Sequence, residues 1–144
     1  MTSELEQNVE KLRHAYRMWR DTKGDSVDIW LSLCANEIAF GSLIQGASPM
    51  EYMNFATTRE DIRDYLTNIV DNWEMLEFEA EHFVAQGDRI VMLGYCSWKS
   101  RATGKSVWTP KADSWRFKDG KAVEFYEFFD TARALAAARP DELH

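Results

Sequence analysis

The chain has 144 residues, 45% hydrophobic and 28% charged, with a formal net charge of −7 and a pI near 5.0. That size and composition fit one globular domain spanning residues 1–144 and argue against a disordered chain. The acidic balance, without any Lys/Arg run, argues against a nucleic-acid partner. No apolar run nears the roughly 20 residues of a bilayer span, so no membrane partner is expected either.

The opening MTSELEQNVEKL is polar and helical rather than a signal peptide, and the closing DELH does not match a KDEL-type signal. Cys34 and Cys96 stand outside any CxxC or Cys/His spacing, so no zinc site is expected and reduced thiols in a cytoplasmic protein are the simplest reading. Leu5, Val9, Leu12, Tyr16 and Trp19 recur at helical steps and form one apolar stripe, ended by Lys23-Gly24-Asp25. Asp25-Ser26 begins a second short helix through about Leu33, and residues 35–43 fit a strand. Ser48-Pro-Met-Glu51 has capping-box spacing over a helical turn. Thr57-Thr-Arg-Glu60 repeats that pattern before a third helix, with Ile62, Tyr65, Leu66, Ile69 and Trp73 on one face.

From Met75 the period changes to two. Leu76, Phe78, Ala80, His82 and Val84 alternate with Glu77, Glu79 and Glu81. Three further strands follow, at about 89–101, 105–117 and 121–130. Gly87, Gly104 and Gly120 mark the hairpins between them, and a short helix at 131–139 closes the chain. The fold class is α+β: three N-terminal helices packed on a curved antiparallel sheet, giving a cone with an open mouth.

Reading FKDGK and AQGDR as three-residue loops and ATGK as a symmetric turn sets the pairing. Lys111 then faces Glu127, and Asp113 lies between Gly94 and Phe125. One inner face carries Phe78, His82, Met92, Gly94, Cys96, Trp98, Thr109, Lys111, Asp113, Trp115, Phe125, Glu127 and Phe129. A two-residue loop at Gly87 or Gly120 would flip its strand and turn three Glu inward. Lys111 and Glu127 are placed for a cross-strand ion pair. Asp113, beside the space left by Gly94, is expected to have a raised pKa and to serve as an acid or oxyanion donor.

The order of helices and meander, and above all WRFKDGKAVEFYEFFDTARAL, resembles the NTF2-like superfamily. The nearest branch is the SnoaL-like one, together with ketosteroid isomerases and limonene epoxide hydrolases. The resemblance implies a cone-shaped fold and a small-molecule function without metal or organic cofactor. Asp113 sits where ketosteroid isomerase keeps a neutral oxyanion-hole Asp, and Tyr16 lies within one residue of its oxyanion-hole Tyr. That enzyme's base would fall near Ser42, which cannot act as one. Glu127 matches an acidic residue of the epoxide hydrolases, whose Arg and Asp correspond here to Gly94 and Cys96.

The expected function is acid/base chemistry on an apolar substrate by an isomerase, cyclase, lyase or hydrolase. Asp113 would be the acid, helped by Tyr16, with Glu127 or His82 as base. Trp19, Phe78, Trp98, Lys111, Trp115, Phe125 and Phe129 would line the ligand pocket. The alternatives are a non-catalytic ligand carrier and a protein-interaction module. Tyr95, Trp108 and Tyr126 on the outer face suit a homodimer.

Overall fold

In the computed structural model, which describes residues 3–141, Leu12, Tyr16 and Trp19 of the first apolar stripe are buried on helix α1, Glu4–Asp21, with Leu5 and Val9 half-buried. Ser3 caps it by accepting the Glu6 N–H at 3.1 Å. Helix α2 (Val27–Leu33) turns Trp30 and Leu33 inward. The turn at Ser48–Glu51 forms no capping box. A single 3-10 turn, Glu51–Met53, starts after Met50, which has no capping side chain. Helix α3 (Arg59–Asn72) is capped one residue later than predicted, by Thr58, whose hydroxyl accepts the Asp61 N–H at 3.1 Å. Its stripe Ile62, Tyr65 and Leu66 is buried. Trp73 already belongs to the following strand, and helix α4 (Thr131–Ala138) closes the described chain behind an Asp130 cap. The DELH tail beyond Asp141, and Met1-Thr2, lie outside the described residues. Among the described residues no helix is long and apolar enough to cross a membrane.

Six strands form one sheet in the order β2-β1-β6-β5-β4-β3. They are β1 (Cys34–Ser42), β2 (Ala56–Thr58), β3 (Trp73–Gln86), β4 (Arg89–Ser100), β5 (Ser106–Lys118) and β6 (Lys121–Phe129). The last four are the antiparallel meander the period predicts. The sheet is not wholly antiparallel, because β1 joins β6 in parallel and carries β2 on its outer edge.

The register differs from the expected one at all three turns. The loops at Gly87 and Gly120 have two residues, closing Gln86 on Arg89 and Lys118 on Lys121. Asp119 and Gly120 take φ of 51° and 77°, left-handed values that Asp and Gly tolerate and a two-residue hairpin needs. Such loops reverse which face a strand shows, and bulges reverse it back. A bulge at Val123 of β6, opposite Arg116 and Phe117, restores the predicted inner face but slides it by two residues, so Asp113, not Lys111, faces Glu127. The β4–β5 loop also slides the pairing by two, setting Lys111 against Gly94 and Asp113 against Met92.

Strand β3 has two bulges, at 75–77 and at 80–82. Between them Phe78 points inward as predicted. Beyond them Leu76, His82 and Val84 turn outward, while Met75 and Phe83 take the inner side. Phe83 packs 5.9 Å from the Tyr16 ring, and burying it avoids burying an unpaired imidazole. Gly94 leaves no vacancy beside Asp113. A Cβ there would lie 1.9 Å from the Glu79 carbonyl oxygen, so the close approach of β3 at its bulge requires glycine.

Candidate active site

Lys111 and Asp113 share a face of β5 because they are two residues apart, and the bulge at Val123 brings Glu127 of β6 directly across from Asp113. Like charges so opposed repel. Here the Lys111 ammonium joins them, its Nζ 2.7 Å from Asp113 Oδ1 and 2.5 Å from Glu127 Oε2, the second being the expected ion pair. The three side chains are 9%, 2% and 8% exposed.

The other carboxylate oxygens are supplied by two helices. Tyr16, on the inner stripe of α1, donates its O–H to Asp113 Oδ2 at 2.6 Å, and its own oxygen accepts the Trp115 Nε1–H at 2.9 Å. Tyr65 of α3 donates to Glu127 Oε1 at 2.5 Å, with the Ser42 hydroxyl hydrogen-bonded to it from β1. The result is one buried chain, Trp115–Tyr16–Asp113–Lys111–Glu127–Tyr65–Ser42, in which every carboxylate oxygen receives a donor.

The charges follow from this geometry. Burial pushes the Asp113 carboxyl above the usual range and the charge of Glu127 adds to it, against the pull of Lys111 and Tyr16. Burial alone lowers the Lys111 pKa, but the two carboxylates outweigh it and hold the ammonium above the ordinary lysine value. Burial, then the Asp113 charge, keeps Tyr16 a phenol; burial and Glu127 do the same for Tyr65. Cys96 is pushed up to about 11, chiefly by burial, so it is a thiol and no nucleophile at neutral pH. One ammonium faces two carboxylates, so the cluster carries one uncompensated negative charge until it takes up a proton.

This chain forms the polar wall of an interior cavity of about 110 Å³. Trp19, Trp30, Phe78, Trp98, Phe125 and Phe129 make much of the apolar wall, with Met50 and Met53 from the loop after β1. All seven residues expected to line the pocket do so, and Asp113, Glu127 and Tyr16 meet there. His82 does not. It is exposed on the opposite sheet face, turned there by the β3 bulge, and is withdrawn as a base. Two contributors escaped the sequence reading. Tyr65 registers only as one more member of the α3 stripe, although its hydroxyl would need a buried partner. Trp30 is visible only as core, and its indole N–H is buried without a hydrogen-bond partner. Among the described residues, no three His, Cys, Asp or Glu side chains converge as a metal site.

Comparison with known proteins agrees with the architecture. The family model of the SnoaL-like domain matches residues 12–125. Among curated proteins none matches the sequence. Similar solved structures include an NTF2-like protein of unknown function from Burkholderia pseudomallei K96243. It is 22% identical, with a TM-score of 0.81 over 95% of this chain and 98% of that one. TerC, co-crystallised with polyporic acid, is 22% identical, with a TM-score of 0.77 over 91% and 97%. A candidate polyketide cyclase from Xanthomonas campestris pv. campestris is 14% identical, with a TM-score of 0.78 over 95% and 100%. At these identities the structures establish the NTF2-like fold alone.

Proposed function

As the chain belongs to the SnoaL-like domain family, we propose that it binds a small, largely apolar molecule in the interior cavity and transfers protons on it with its own side chains. One observation carries this reading. Among the described residues, the one ionisable cluster on the cavity wall holds two carboxylates on one ammonium, each carboxylate steadied by a tyrosine. Such an array can keep one proton and lend it. With Asp113 protonated, its O–H donates to the Tyr16 oxygen, which still accepts from Trp115, and frees the Tyr16 O–H for a developing oxyanion on the substrate. Glu127, aligned by Tyr65 and Lys111, is the proton acceptor. The fold neighbour that holds polyporic acid supports a small-molecule role.

A turnover assay on Asp113→Asn and Tyr16→Phe tests this. Each is expected to lose about 10²-fold or more in kcat with a smaller change in KM, as for loss of one acid or oxyanion donor. Unchanged kcat in both variants removes the mechanism. A second reading, a ligand carrier without turnover, is favoured by Ser42 at the position where a base is expected and by the full donor supply of both carboxylates. Saturable binding with no product would select it. The outer face, where Leu93, Trp108 and Phe128 are exposed, is proposed to pair two copies of the chain.

A further inference from the structure

The proposed ligand site also limits which ligands it can take, an inference that rests on the reading above. Its size is the first limit. A dry, engineered cavity of about 150 Å³ holds one benzene, and drug-sized ligands need roughly 300 Å³ or more. The cavity here is about 110 Å³, room for one small ring. Packed aromatic pairs line it: Trp30 stacks on Trp115 at 5.6 Å and Phe40 on Phe125 at 4.3 Å. A second fused ring would exceed that volume.

Charge is the second limit. Among the described residues Lys111 is the only basic one on the wall, and its ion-pair partners are both carboxylates. The cluster sums to −1, or to zero with one proton bound. A buried anion would find no unpaired cation and would meet two carboxylates. A cationic ligand fares poorly for a different reason. The Lys111 ammonium already occupies both carboxylates and lies 5.9 Å and 6.0 Å from the Phe78 and Phe125 ring centroids. A second cation would have to share those partners with the first.

Hydrogen bonding is the third. An ammonium has three N–H donors, and Lys111 uses two on the carboxylates. Trp30, also on the wall, has an indole N–H without a partner. Both groups are donors, which call for an acceptor such as a carbonyl oxygen on the ligand.

We infer that the cavity selects an uncharged, single-ring compound bearing a carbonyl, and rejects anions, cations and polycyclic molecules. Calorimetric titration of the full chain with a matched series tests this: cyclopentanone, cyclopentanecarboxylate, cyclopentylammonium and androst-4-ene-3,17-dione. Cyclopentanone is expected to bind saturably, at least about tenfold tighter than each of the others, the size of discrimination one misplaced group can supply. Binding of the carboxylate, the ammonium or the steroid within tenfold of cyclopentanone, or tighter, overturns the selectivity while leaving a ligand site standing. Failure of all four to bind overturns the selectivity and the ligand site together.

Discussion

Replacing Lys111 by Met removes the one cation between Asp113 and Glu127 and leaves two buried carboxylates facing each other across the β5–β6 ladder. Each keeps its tyrosine donor but loses the ammonium at 2.7 Å or 2.5 Å. Breaking a buried ion pair from one side costs about 3–5 kcal/mol, a large share of the roughly 5–15 kcal/mol that holds a domain together. With a urea m-value of about 2 kcal/mol/M, the unfolding midpoint of Lys111→Met at pH 7 should fall by about 2 M. The loss should shrink towards pH 4, where protonation removes the repulsion. Neutralising all three in Lys111→Met/Asp113→Asn/Glu127→Gln should restore most of the stability, since an uncharged replacement of a buried pair is often near neutral. Urea unfolding followed by tryptophan fluorescence reads all three results. A wild-type midpoint for Lys111→Met, or a triple variant as unstable as the single one, refutes the reasoning.

Other consequences are as direct. The raised pKa of Asp113 means the folded state holds its proton to higher pH than the unfolded chain, in which an Asp titrates near about 3.9. Its contribution to stability is complete below that pH and is lost as pH rises through the folded value. The stability of wild type relative to Asp113→Asn should therefore decline with rising pH, and a relative stability that rises instead contradicts the assignment. Gly94→Ala places a Cβ 1.9 Å from the Glu79 carbonyl and should cost about 3 kcal/mol by parting β3 from β4, measurable by thermal unfolding. His82→Ala should leave turnover unchanged, because the imidazole lies exposed on the other face. If the outer face pairs two copies, light scattering should give a dimer for wild type and a monomer for Trp108→Glu, whose wild-type side chain is 48% exposed.

The inner face was legible because period two needs no knowledge of register. Lys111, Asp113, Trp115, Phe125 and Glu127 alternate inward whichever residues they oppose, and a slide by two preserves that. The Lys111–Glu127 ion pair was legible too, but which residues stand directly opposed was not. Register depends on loop length and on bulges, and KDG accommodates both a two-residue and a three-residue loop until the bulge at Val123 is known. The same effect misplaced His82. In EAEHFVA both His82 and Phe83 fit a strand, and only the bulge at 80–82 decides that the ring, not the imidazole, meets Tyr16. Gly94 was read as space when it is a close approach, because a missing side chain looks the same in sequence either way. Tyr65 was read as core because its hydrogen bond to Glu127 spans two elements that no local pattern joins.

The account turns on a guest sitting against the Lys111-centred chain. A crystal structure of the protein soaked with cyclopentanone tests that most directly. The ketone should lie inside the cavity, ringed by Trp30, Phe78, Trp98 and Phe125, with its oxygen within hydrogen-bond distance of Lys111 Nζ or Trp30 Nε1. A cavity closed by its own side chains, with the ketone bound only at the surface, would contradict it.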